Sequence, residues 1–262
     1  MNENSLLWEL YQVDNAVRHY LFGTMHLSTE GAYTHAEKAK KYINLAGNYV
    51  GEMDLNESLA QHNQTYFMLE DGKSLADLFK PHHLDKYRAV VSKYFKIDLD
   101  TYQNFTPFFI SNLLAEKTLV SHQIEGLDYH LWKYAMHEGK VMFGLESFQD
   151  QLHIMKNIPL DYQTKAFKDL MSNIPSFCKK IKVMHSYYEN QNLKALYKAS
   201  KKSMGKLRHL MIYGRNDKML SKLLSISNSR ATFFAVGAAH LPGNKGLLAG
   251  LKRAGYKVKP IL

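Results

Sequence analysis

The chain is 262 residues long and 45% hydrophobic, with a formal net charge of +10 and a single cysteine, Cys178. That is enough apolar content for one large domain or two small ones, while one cysteine excludes an internal disulfide and a cysteine-built zinc site. The N-terminal stretch MNENSLLWELYQVDN has no basic n-region or apolar core, and no window reaches about 18 uninterrupted apolar residues, so the expectation is a cytoplasmic protein without a membrane span.

In chain order, residues 6–12 (LLWELYQ) and 17–22 (VRHYLF) read as two strands joined by a turn at Asp14-Asn15-Ala16. Residues 32–45 predict a helix ending near Gly47, and 48–55 (NYVGEMDL) a short strand with acids at its far end. From 58 to about 119 the pattern is helical, with a capping start at Ser74-Leu75-Ala76-Asp77. A helix over 127–139 ends at Gly139, followed by a strand over 141–145 and a helix over 147–156. Residues 160–228 read as entirely helical, with Pro159 and Pro175 as breaks. A strand over 232–236, a helix over 245–254 and a last strand over 256–262 complete the chain.

Strand–helix alternation at both ends predicts an α/β fold with a mixed central sheet, flanking helices and a helical insertion or cap. The expectation is a single domain, 1–262, interrupted by helical insertions at about 57–125 and 157–228. Charge is uneven along it. Residues 1–130 carry 11 Lys+Arg against 17 Asp+Glu, a net of −6, whereas 131–262 carry 23 against 7, a net of +16. No recognised nucleic-acid motif accompanies the lysines, which read as solvated helix faces, so a nucleic-acid partner is not expected.

Two places share one grammar. Strand-like runs end in Gly23-Thr24-Met25-His26 and in Gly237-Ala238-Ala239-His240. One Gly-x-x-His carries little weight, because such a histidine usually bonds locally; two copies after apolar runs carry more. Carboxyl ends of strands in an α/β sheet converge on one rim, where ligands bind. Glu52 and Asp54 close one predicted strand and Glu146 another, so imidazoles and carboxylates would meet there, a set that suits a divalent metal able to acidify water. The other eleven histidines, His82, His83 and His122 among them, read as surface or packing residues, and Cys178 as simply packed.

The segments LLWELYQVDNAVRHYLFGTMHL (6–27), VGEMDL (50–55), GLDYHLWKYAMHEGKVMFGLESFQDQL (126–152), YGRNDKM (213–219) and FFAVGAAHLPGNKGLLAGLKRAGYKV (233–258) together resemble the TraB/GumN family. That family is related to the Tiki metalloproteases and, more distantly, to erythromycin-esterase-like (EreA) and ChaN-like proteins. The resemblance implies an EreA/ChaN-like architecture, a hydrolytic site and two histidines brought together from opposite ends of the chain. It implies His26, His240 and Glu52 as ligands of a divalent ion (Mn2+, Co2+ or Zn2+), with Glu52 or Glu146 as general base. Arg215 and Asn216 would hold a substrate oxyanion or carboxylate, and Asp54 would fix a histidine tautomer. The function so implied is a metal-dependent hydrolase, most simply a peptidase acting on a peptide or other small amide or ester, with an anionic substrate favoured by the basic half. A metal-independent esterase-like hydrolase and a non-catalytic peptide-sequestering protein are the alternatives.

Overall fold

The computed structural model describes residues 4–25, 29–60, 64–119, 125–226 and 230–262. Six strands form one mixed sheet: β1 (Leu7–Tyr11), β2 (His19–Thr24), β3 (Asn48–Met53), β4 (Val141–Glu146), β5 (Thr232–Gly237) and β6 (Lys257–Ile261), in the order β4-β3-β5-β2-β1-β6. β4, β3, β5 and β2 run parallel, and β1 pairs antiparallel with both β2 and β6. The expected mixed α/β sheet is therefore present. Every residue of β2 is buried and five of the six in β5, which explains why those strands read as unbroken apolar runs and not as alternating ones.

Side chains of successive strand residues point to opposite faces. On β1, Leu7 lies beside helix Glu30–Leu45, while Trp8 lies beside helices Leu193–Met204 and Leu247–Arg253. Both faces are therefore covered. The resulting core holds Tyr49, Trp132, Phe22, Phe233 and Phe234, each at most 1% exposed. Burying one such ring stabilises the fold by about 1.5–3 kcal/mol. Tyr49 stacks on Phe233 at 5.7 Å and meets Trp132 edge-on at 5.8 Å, tying β3, β5 and helix Leu127–His137 together.

The chain divides into two compact units, one of 1–61, 121–154 and 184–262, the other of 62–120 and 155–183. The first contains the sheet. Helices Leu193–Met204 and Gly214–Ser225 belong to it, contributing Leu193, Leu196, Met219 and Leu223 to its core, so residues 184–226 pack with the sheet. The second is helical and has its own core around Leu75, Phe79, Val91, Ile110, Leu114 and Phe167. Its first half is less regular than its helical pattern suggests. Pro81 and Pro107 each open a helix, where a missing N–H costs nothing, and single 3-10 turns at Gln64–Phe67, Glu70–Gly72 and Leu99–Tyr102 lie between. Ser74 and Asp77 form the expected reciprocal cap. No helix among the described residues is long and apolar enough to cross a membrane.

Candidate functional site

Four parallel neighbours end on one rim. Glu146 is the last residue of β4 and stands opposite Met53 of β3, one residue past Glu52; Thr24, the last of β2, stands opposite Gly237, the last of β5. The strands carrying the two Gly-x-x-His motifs are therefore hydrogen-bonded neighbours, although they lie at opposite ends of the chain.

The glycines of the motifs have separate physical reasons. A Cβ on Gly23 would lie 3.1 Å from Ala238 Cα and 2.8 Å from Leu241 Cδ1, so the first motif packs on the second with no room for a side chain. A Cβ on Gly237 would lie 3.1 Å from a Glu52 oxygen, the same oxygen that accepts the Gly237 N–H at 2.7 Å. Gly237 thus lets a carboxylate sit on the backbone. The first motif is held from the far side, where the fully buried Tyr188 donates its hydroxyl to the Gly23 carbonyl at 2.9 Å. Next to it, Thr24 Oγ1 is buried with no hydrogen-bond partner among the described residues. His26 and His122 lie outside the described residues.

Arg215, on helix Gly214–Ser225, joins the two acids. Its Nε donates to both oxygens of Glu146 at 2.9 and 3.2 Å, and its Nη2 donates to Glu146 and to Glu52. Nη1 reaches the Met211 carbonyl at 3.4 Å. The side chains are 12%, 11% and 2% exposed for Arg215, Glu52 and Glu146, a nearly buried cluster of two negative charges and one positive. Burial works against the guanidinium charge, but the hydrogen bond to Glu146 and the fields of Glu52 and Glu146 outweigh it and raise the Arg215 pKa. Ser147 caps helix Phe148–Lys156 reciprocally with Asp150 at 3.0 and 3.1 Å, which fixes the chain where it leaves β4 at Glu146.

Asn216 serves His240. Its Nδ2 donates to the carbonyls of His240 at 3.2 Å and Lys245 at 2.7 Å. Carbonyls only accept, so the amide nitrogen must face them and Oδ1 must face the ring, 2.6 Å from His240 Nδ1. Nδ1 therefore carries a proton, and in the neutral ring Nε2 is the unprotonated nitrogen. His240 is 3% exposed. Asp54 accepts from the N–H groups of Asn56 and Glu57 at 2.9 and 3.3 Å, making it the cap of helix Leu55–Ala60; for His240, the tautomer is set by Asn216.

The structure thus gathers Glu52, Glu146, Arg215, Asn216 and His240 at one rim. Among the described residues, no three His, Cys, Asp or Glu side chains come together as a metal-holding group. Two contributors were not singled out from the sequence. Tyr188 left no local signal, whereas Ser147-x-x-Asp150 is a capping pattern that could have been read.

A profile of the TraB/PrgY/gumN family matches residues 6–260. The chain belongs to this family. It is also similar to a protein described as metalloprotease TIKI2 of Danio rerio, at 22% identity, over 98% of this chain and 61% of that relative. The chain thus spans under two thirds of the relative's length. No solved structure matches, so the expected EreA/ChaN-like architecture rests on the sequence resemblance alone. Membership and the distant metalloprotease likeness together point to a relationship with hydrolases.

Proposed function

We propose that this family member is a metal-dependent hydrolase that cleaves peptides or related small amides, with its chemistry at the rim of β4, β3, β5 and β2. The observation that carries this reading is the parallel pairing of β2 with β5, which sets Gly23 against Ala238 beside the Glu52 and Glu146 carboxylates. The donor set suits a divalent ion. Asn216 fixes the His240 proton on Nδ1, which leaves Nε2 as the ring nitrogen with the lone pair, and an imidazole beside carboxylates is a donor set that such ions take.

His240, Glu52 and His26 are the residues that would hold Mn2+, Zn2+ or Co2+, ions that imidazole ligands favour, and the ion would supply Lewis acidity toward water and the scissile carbonyl. Glu52, the more exposed of the two acids, takes the water proton as general base and passes it to the leaving amine. The Arg215 guanidinium favours the charged form of that base, and Glu146 holds the guanidinium in place beside it. Arg215 spends its Nε and Nη2 on the acids, so its part in the chemistry is exerted through them.

The test is an assay of the purified chain on a mixture of short peptides, read by mass spectrometry, before and after chelation and with each ion restored. Glu52→Gln and His240→Ala are expected to lose turnover by at least about a hundredfold, the scale of general-base catalysis. Turnover that both variants and exhaustive chelation leave unchanged would rule this site out. Survival of chelation alone would transfer the reading to metal-independent hydrolysis, and peptide binding without cleavage to a sequestering protein.

A further inference from the structure

A cleft of about 380 Å³ opens between helices Leu193–Met204 and Leu247–Arg253, above β1. Trp8, Tyr197, Pro242 and Leu248 line it, and Lys194 and Lys252 stand at its edge. None of Glu52, Glu146, Arg215, Asn216 or His240 takes part, so the cleft is separate from the carboxylate–guanidinium site. The loop that follows His240 forms one of its walls through Pro242, Gly243 and Asn244.

Its chemistry is one-sided. The lining contains two lysines and no carboxylate. Both lysines are exposed, and neither ammonium group forms an ion pair or hydrogen bond among the described residues. Below them the lining is apolar. Trp8 is 2% exposed and Leu248 8%, and the Trp8 indole donates its Nε1–H to the Ser5 carbonyl at 2.9 Å. The Tyr197 ring is fixed against Gly243, where a Cβ would lie 2.6 Å from the Tyr197 oxygen, and Lys201 Nζ lies 5.4 Å from that ring's centroid. Burial, then the hydrogen bond with Tyr213, pushes the Tyr197 hydroxyl up to about 12, so this wall stays neutral at ordinary pH.

We propose that this cleft binds a small organic anion, a carboxylate with an aromatic or aliphatic body, with the body against the half-buried Tyr197, Pro242 and Ala249, over the buried Trp8 and Leu248, and the carboxylate between Lys194 and Lys252. The volume falls within the range of small-molecule sites, roughly 300–1,000 Å³. A neutral ligand would leave both ammonium groups unmatched, and a cation would meet them as like charges. A polyanion without apolar parts would gain from the lysines but not from the floor.

The test uses the two tryptophan indoles as reporters in the intact, isotope-labelled chain. Trp8 lies in the cleft, whereas the Trp132 indole donates to Asn56 elsewhere in the same unit and serves as the control. Phenylbutyrate titrated into the millimolar range is expected to move the Trp8 signal saturably and leave Trp132 in place, with phenylbutyramide binding at least about tenfold more weakly. Lys194→Glu with Lys252→Glu should abolish that preference while the Trp132 signal and the denaturation midpoint of the free protein stay as in the parent. A Trp8 signal that does not move, that moves equally for acid and amide, or that moves together with Trp132 would overturn the proposal. Because binding is the readout, a negative result leaves the hydrolase reading untouched, and loss of hydrolysis leaves this one untouched.

Discussion

Asn216 uses both amide hydrogens and its amide oxygen on one neighbour and its loop. Both amide hydrogens go to carbonyls and the amide oxygen to the His240 ring, so no simple substitution preserves the arrangement. Asn216→Asp turns the donor into a second acceptor facing two carbonyls, and a cost of about 1–3 kcal/mol is expected in chemical denaturation. The same change should draw positive charge onto His240, seen as an upward shift of its imidazole titration. A variant as stable as the parent, with the ring titrating as before, would mean that Asn216 does not set the tautomer. The Arg215 cluster makes an asymmetric prediction. Arg215→Met leaves two nearly buried carboxylates together and should cost about 3–5 kcal/mol, whereas combining it with Glu52→Gln and Glu146→Gln should recover at least half of that. Additive losses in the triple variant would show that the charges contribute independently.

At the scale of elements, the pairing of β2 with β5 brings the ends of the chain into one site, and Gly23 is its tightest point. Gly23→Ala places a methyl 2.8 Å from Leu241 Cδ1 and 3.1 Å from the Ala238 backbone, so overpacking of about 1–3 kcal/mol is expected. An unchanged denaturation midpoint would show that the two motifs yield easily. The start of helix Glu30–Leu45 is tied in as well. Thr29 donates to Glu189 at 2.8 Å and lies 3.0 Å from Nε2 of His185, a 4% exposed histidine that the sequence marked only as surface or packing. Burial holds the His185 pKa below its ordinary 6.5, against the opposing pull of Glu189. The unfolded chain therefore binds more protons between the depressed value and 6.5, so the stability due to His185 is complete above 6.5 and declines as pH falls through that window. His185→Gln should flatten the fall of the urea midpoint from neutral toward about pH 5, and parallel curves for parent and variant would remove His185 as its source. These contacts also show how far sequence reasoning reaches. It placed all six strands, because apolar runs and glycines punctuate them, and it marked the polar residues at their ends. It could not see that Arg215 lies on both acids or that Asn216 orients His240, because those roles depend on which helix face meets which strand end. Tyr188 stands 165 positions from the carbonyl it holds, a separation over which no local pattern carries information.

At the scale of the whole molecule, much of the positive charge lies where the chain returns from the helical unit to the unit of the sheet. Residues 184–230 carry 10 Lys+Arg and 2 Asp+Glu, a net of +8, and fold within the unit that contains the sheet and its rim. Helix Leu193–Met204 has Lys201 and Lys202 in its last turn, and helix Gly214–Ser225, which delivers Arg215, has Lys222 in its last turn. Within the rim itself the balance is reversed, with two carboxylates against one guanidinium. Net positive charge on the unit that carries a negative rim acts on approach more than on the bound state. It attracts an acidic peptide from a distance, and charge near the chemistry does not favour placing the acidic residue at the cleaved bond. Such steering is screened over about 8 Å at physiological ionic strength, so its mark is a salt-dependent association rate. We therefore expect kcat/KM for a peptide with acidic residues remote from the cleaved bond to exceed that of its basic counterpart at low salt. The ratio should approach one as salt rises, while kcat for each stays nearly constant. Neutralising Lys198, Lys202 and Lys206 to Gln should lower the low-salt ratio and leave the high-salt value unchanged. Equal salt slopes for the two peptides would mean that the lysines only solvate their helices.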